Sequence, residues 1–138
     1  MDPFDLQRFV DAQAAVWEDV LAELGQASKR THWMWFVQLA ALGRSEAARH
    51  YGIHGADEAR AYLRHPVLGP RLLECCDLLL QAADVSAKDV FGEIDAMKLR
   101  SCLTLFETVS PQTPFFEDCL ERYFDGDRDR LTIELLSN

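Results

Sequence analysis

Apolar side chains in this chain recur at steps of three and four, and no stretch alternates at period two for long enough to form a strand. Leu6, Phe9, Val10, Gln13, Trp17, Val20, Leu21 and Leu24 form the longest such series, which predicts one amphipathic helix ended by Gly25. Glycine and proline divide the rest of the chain. Thr31–Leu42 reads as a second helix, with Thr31 as N-cap and Gly43 as terminator. Ser45 caps a short third helix ending at Gly52, and Asp57 caps a fourth that closes before His65-Pro66, because a residue preceding proline avoids helix. A fifth covers Leu68 to Ala83, with Leu72, Leu73, Cys76, Leu79 and Leu80 inward and Pro70 tolerated in its first turn. Ser86–Asp89 resembles a capping box opening a single turn to Phe91. Further helices span Glu93 to Thr108 and Phe115 to Phe124, and Asp127 caps a last one to Leu136. The expectation is an all-α, compact, single-domain bundle over residues 1–138, with about seven to nine helices.

Length and composition agree with that class. A chain of 138 residues, 49% hydrophobic and 27% charged, suffices to bury about two-thirds of its unfolded surface in one core. No run approaches the roughly 18 apolar residues of a membrane span. The acidic, amphipathic start M-D-P-F-D-L-Q-R-F has the wrong character for a secretory leader, so a cytoplasmic location is expected. The four cysteines, Cys75, Cys76, Cys102 and Cys119, form no C-x-x-C pair and no zinc spacing with histidine, and read as buried free thiols. No metal or cofactor is expected. Only His50 and His54 lie close in sequence, and Gly52 between them argues against a shared helix face.

Charge is unevenly placed. The net charge of −9 argues against general nucleic-acid binding, which needs basic side chains to displace phosphate counterions. Residues 29–71 nevertheless hold seven basic side chains (Lys29, Arg30, Arg44, Arg49, Arg60, Arg64, Arg71) against three acidic ones, net +4, leaving −13 elsewhere. All four histidines, His32, His50, His54 and His65, fall in the same part. Either this basic middle holds one pocket for a small anion, or its arginines simply answer the acidic remainder across the fold.

Two segments conflict with plain amphipathic packing. In T-H-W-M-W-F-V-Q-L-A-A-L (31–42), Trp33, Met34, Trp35, Phe36, Val37 and Leu39 point all round a helix at about 100° per residue. Such a helix is buried, and the aromatic cluster can be core alone. His32 in its first turn, with Lys29 and Arg30 upstream, would alternatively place a phosphate or carboxylate at a helix N-terminus, with an indole of Trp33 or Trp35 stacked on a base or sugar. In the segment from Glu93, the side chains of Ile94, Leu99, Cys102, Leu103, Leu105, Phe106 and Val109 fill one arc of about 200°, with Arg100, Thr104 and Glu107 outside it. Asp95 and Lys98 fall inside. Burying them is costly unless they pair or meet a ligand. They are either an ion pair that sets helix register or the wall of a site, with Lys98 on an anion and Asp95 as acid, base or ribose acceptor. No Walker loop, dinucleotide glycine fingerprint, G-x-S-x-G elbow or H-E-x-x-H is present.

The ordered motifs D-L-Q-R-F-V-D-A-Q, H-W-M-W-F, L-G-R-S-E-A-A-R-H-Y-G-I, E-A-R-A-Y-L-R-H-P-V-L-G-P-R-L, F-G-E-I-D-A-M-K-L-R-S-C-L-T-L-F and D-R-D-R-L-T-I-E-L-L resemble an uncharacterised bacterial domain-of-unknown-function family, number 1810, over nearly the whole chain. The resemblance implies an all-helical cytoplasmic domain and brings no activity. Some members carry the label calpastatin, which these residues do not support, since calpastatin segments are disordered and this chain is patterned for a packed core. The family pattern has an extra Phe-Pro before the glutamine matching Gln38, whereas Val37 runs directly into Gln38 here. On a helix that loss rotates every later residue by about 200°, altering any pocket shaped by the turn. The layout is also faintly similar to small helical N-glycosidases acting on ADP-ribose and riboflavin precursors, with no catalytic motif to align.

Two functions are expected from these features. One is a pocket between helices that binds or hydrolyses a small anionic metabolite, such as a nucleotide, an ADP-ribose-like compound or a sugar phosphate. Lys29, Arg30 and His32 then hold the anion, Trp33 or Trp35 stacks, and Asp95 with Lys98 flanks the reacting bond. The other is a non-enzymatic protein-interaction or regulatory module, with a homo-oligomer as one form, marked by an exposed apolar patch.

Overall fold

The computed structural model describes residues 2–82 and 84–137. Among them it is all-α, with nine α-helices, one 3-10 turn and a single isolated β-bridge. The helices are α1 (Gln7–Ala14), α2 (Trp17–Gly25), α3 (Glu46–His50), α4 (Ala56–Arg64), α5 (Leu68–Gln81), α6 (Ala87–Phe91), α7 (Glu93–Val109), α8 (Pro114–Phe124) and α9 (Arg130–Ser137). The central helix is α7, against which α4, α6, α8 and α9 pack. From Ser101 to Phe106 it is buried on all sides. A chain of aromatic contacts crosses the core: Phe9 meets Tyr62 edge-on at 5.2 Å, Tyr62 meets Phe106 at 5.5 Å, and Phe106 meets Phe116 at 5.7 Å. The expected C-terminal residue of α5, Ala83, lies outside the described residues.

Most boundaries agree with the pattern of caps and breakers. Ser45 accepts the Ala48 N–H at the start of α3, and Ser86 and Asp89 form the expected capping box on α6. Two caps differ. Gly55, not Asp57, precedes α4. At α9, Asp129 rather than Asp127 accepts the Thr132 N–H, because Asp127 is turned toward Arg100 at 3.0 Å.

The long first helix is in fact two. The chain breaks at Ala15–Val16, where Val16 has φ −125° and ψ 3°. Gln13 is buried and donates to the Tyr62 hydroxyl at 3.0 Å, holding α1 to α4, while α2 packs on α5. One straight axis cannot serve both neighbours, and a two-residue break leaves the periodic pattern nearly intact.

The larger correction is Thr31–Leu42. No α-helix forms there. The segment is irregular up to a 3-10 turn at Ala40–Leu42, and Leu39 bridges Ile53 in parallel. The cause is a carboxylate. Buried Glu23 on α2 accepts from the backbone N–H of Arg30 (2.6 Å) and of Thr31 (3.0 Å), from the Thr31 hydroxyl (2.7 Å) and from Trp33 Nε1 (2.9 Å). Two of these bonds hold the backbone at the start of the segment, and Ala40 N–H to Ile53 O and Ile53 N–H to Gln38 O hold its far end, so Trp33, Phe36, Val37 and Leu39 enter the core from an irregular chain. Because no helix runs through Val37–Gln38, a two-residue difference there changes the length of a loop and not the phase of a helix. Beyond it, Gly52 packs so tightly on Ala40 that a Cβ would come within 2.5 Å of the Ala40 Cα.

Burial alone would push the Glu23 carboxyl up. The four donors outweigh it and bring it down to about 2, against an ordinary value of 4.5. A depressed carboxyl stabilises the fold above pH 4.5, and that contribution is lost as pH falls through about 2. Glu23→Ala should lower unfolding stability by about 3 kcal/mol through four orphaned donors. It should also flatten the acid limb of stability between pH 4.5 and 2, as followed by urea denaturation at each pH. An unchanged acid limb would assign acid unfolding to other carboxylates.

Candidate functional site

The N-terminal half of α7 is covered on one side only. Asp95 and Ala96 face inward, while Ile94 and Met97 are 73% and 62% exposed. The sequence pattern placed Ile94 inside the apolar arc and Thr104 outside it. Thr104 is instead fully buried, its hydroxyl donating to Arg100 O at 2.8 Å and accepting the Asp129 N–H at 2.9 Å. The returning C-terminal segment therefore docks on a polar stripe of α7 and leaves Ile94 in solvent. Arg128 forks onto Glu107 and strengthens the docking.

Between α7, the start of α9 and the loop leading into α3 lies a half-open cleft of about 610 Å³. One wall is the α7 stripe Ile94, Met97, Lys98 and Ser101, which share a face at helical spacing. The opposite wall includes Gln38, Leu42, Arg44 and Ala48, and Asp129 with Leu131 closes one end. The exposed apolar side chains Ile94, Met97 and Leu131 thus meet in one concavity. Two cations stand over it. Lys98 approaches Asp95 at 3.8 Å only, and Arg44 makes no ion pair among the described residues. The acidic lining residue, Asp129, is already engaged by the Ser101 and Thr132 hydroxyls.

Of the residues singled out from the sequence, Lys98 alone lines this cleft. Asp95 turns away from it and binds Lys29 Nζ at 2.7 Å, the two side chains being 20% and 13% exposed. Lys29 also lies 5.4 Å from the Trp33 ring centroid. Asp95, Lys29 and Lys98 therefore form a cluster that pins the 29–33 segment to α7. Trp33 is buried against Phe91 with its N–H on Glu23, so its ring offers no free stacking face at the surface. Trp35 packs edge-on against Tyr51 at 5.6 Å, and its buried Nε1 has no acceptor among the described residues. Arg30 and His32 are exposed in the loop. The helix N-terminus expected to present them does not exist.

Among the described residues no three His, Cys, Asp or Glu side chains converge as a metal would require, and no helix is long and apolar enough to cross a membrane. All four cysteines are buried and free, and burial pushes the Cys75 and Cys102 thiols up, away from the reactive thiolate. Of the seven basic residues in 29–71, Lys29 alone among the described residues pairs with a carboxylate from outside that stretch.

Apart from Arg44, which belongs to the basic stretch 29–71, the sequence of Gln38, Met97, Ser101, Asp129 and Leu131 gave no sign of a shared site. The one readable signal was the i, i+3, i+4, i+7 spacing of 94, 97, 98 and 101.

Comparison with known proteins adds a family and a structure. A family described as "Protein of unknown function (DUF1810)" matches residues 3–136. The crystal structure of the conserved hypothetical protein Rv1873 from Mycobacterium tuberculosis is similar over 99% of this chain and 99% of its own, with 47% sequence identity and a TM-score of 0.96. No curated protein matches.

If the Lys29–Asp95 pair is a structural clamp, Lys29→Met should cost about 1–2 kcal/mol in urea unfolding, between the values for exposed and buried pairs. It should leave ligand binding in the cleft unaltered. A variant as stable as the parent would show that the pair holds nothing.

Proposed function

This chain belongs to the DUF1810 family, which supplies no activity, and from that premise we propose that it binds a small anionic metabolite in the cleft between α7, α9 and the loop before α3. The observation that carries this reading is the meeting of exposed Ile94, Met97 and Leu131 with the cations Lys98 and Arg44 in one concavity, in a chain of net charge −9. Exposed apolar side chains grouped in a concavity mark binding surfaces. The volume falls within the roughly 300–1,000 Å³ usual for small-ligand sites. Cations in a low-dielectric groove concentrate anions locally even on an acidic protein.

Binding is favoured over hydrolysis by the residues at hand. The cleft lining has no histidine or cysteine, Asp129 is occupied by two hydroxyls, and Asp95 is held by Lys29 outside the cleft. Among the described residues of this lining no general base stands free beside a nucleophile, which acid–base chemistry requires.

A second reading, the interaction module, is favoured by the exposure of Ile94, Met97, Leu131 and Ile133. Three of the four, Ile94, Met97 and Leu131, line the concave cleft, the shape of a small-ligand site, so it ranks below ligand binding.

In a thermal-shift screen of carboxylates and phosphates, a ligand at 100 times its Kd should add about 2.7 kcal/mol, raising Tm by roughly 5–10 °C. The combined Arg44→Ala and Lys98→Met variant should lose that rise while keeping the parent Tm without ligand. If no anion moves Tm at millimolar concentration, the metabolite reading is wrong.

A further inference from the structure

The cleft that supports anion binding also carries information on the body of the ligand. Its lining includes no aromatic side chain. The tryptophans that suggested a stacked base lie elsewhere, Trp33 sealed on Glu23 and Phe91, and Trp35 against Tyr51. Sites for bases, sugars and other planar or ring ligands typically use aromatic faces for stacking, sometimes with a guanidinium beside them, and of these the cleft has only Arg44. Here the apolar surface comes from Ile94, Met97, Leu131 and Leu42, all aliphatic or thioether. Methionine is unbranched and adaptable, suited to a flexible chain of no fixed shape.

The polar groups are placed to one purpose. Lys98 follows Met97 directly on α7, and Arg44 stands on the facing loop, so both cations border the aliphatic strip. Neither has a close carboxylate partner, Lys98 being 3.8 Å from an Asp95 that already holds Lys29 at 2.7 Å. Ser101 and Asp129 bond each other, so the remaining side-chain polar groups of the lining are Gln38, Ser45 and the two cations.

Resting on the anion-binding reading above, we infer that the ligand is an aliphatic chain ending in an anionic group, and not a nucleotide or a sugar phosphate. The chain lies along Ile94, Met97 and Leu131, and its terminal carboxylate or phosphate is held by Lys98 and Arg44.

The test uses the full chain carrying carbon-13 in its methionine methyls. Of the three methionines, Met97 lines the cleft and Met34 does not, so comparing these two resonances separates binding in the cleft from non-specific effects. Butyrate, hexanoate, octanoate, 1-hexanol, AMP and inorganic phosphate are titrated in turn. The expected result is movement of the Met97 methyl alone, with Kd falling at least about tenfold from butyrate to octanoate, as partial burial of four methylenes requires. Hexanoate should bind roughly tenfold more tightly than 1-hexanol, and Lys98→Met should reduce that difference, Arg44 keeping the remainder. Lys98 is 36% exposed and Lys29 keeps Asp95 paired, so this variant retains the fold, as circular dichroism will verify.

If AMP moves Met97 and chain length has no effect, the aliphatic inference fails while anion binding stands. If hexanol binds as tightly as hexanoate and Lys98→Met changes nothing, the cleft is an apolar patch and both readings fail. They also fail if Met97 shifts on dilution without ligand, which would put a second copy of the chain on the cleft.

Discussion

The buried carboxylate of Glu23 decides the architecture around it. Its oxygens hold the backbone of Arg30 and Thr31 and the indole of Trp33 in place, all at the start of the following segment. From there residues 31–39 cross the molecule as an irregular strap. The strap delivers Trp33 and Phe36 against Phe91, then turns through Ala40–Leu42 to set the loop that walls the cleft. A single charged side chain thus anchors the entry of the strap, at the cost of its own burial.

A second consequence appears on α7. Its C-terminal half is enclosed by α4, α8 and the C-terminal segment, and its N-terminal half is pinned from one side by Lys29 on Asp95. The pin brings the strap against the inner edge of the helix and leaves Ile94, Met97 and Lys98 facing the loop before α3. Asp95 and Lys98, which the sequence left open as an ion pair or a site wall, join Lys29 in fastening the strap to α7 beside the cleft. Partial exposure suits that role, since water still screens the charges and limits the desolvation cost.

The mycobacterial structure, at 47% identity and a TM-score of 0.96, has the same fold over essentially its full length. A fold held in common does not carry an activity, and the functional argument therefore rests on the cleft: aliphatic walls, two lightly engaged cations, and an Asp129 already bonded to two hydroxyls.

Periodicity, capping residues and breakers were enough to make an all-α single domain legible, because they depend on local geometry that neighbours in sequence settle between themselves. The buried thiols and the Ser86–Asp89 capping box were readable for the same reason. Tertiary structure alone decided three things: that Thr31–Leu42 is not a helix, that α1 and α2 part at Val16, and that Ile94 faces solvent while Thr104 does not. Each depends on a partner distant in sequence or space (Glu23 for the strap, Tyr62 and α5 for the break, Asp129 for Thr104). A helical wheel assigns faces by what a residue is, but which face is inside depends on what comes back to cover it. The site was illegible for that reason, since its walls come from three stretches that only the folded chain brings together.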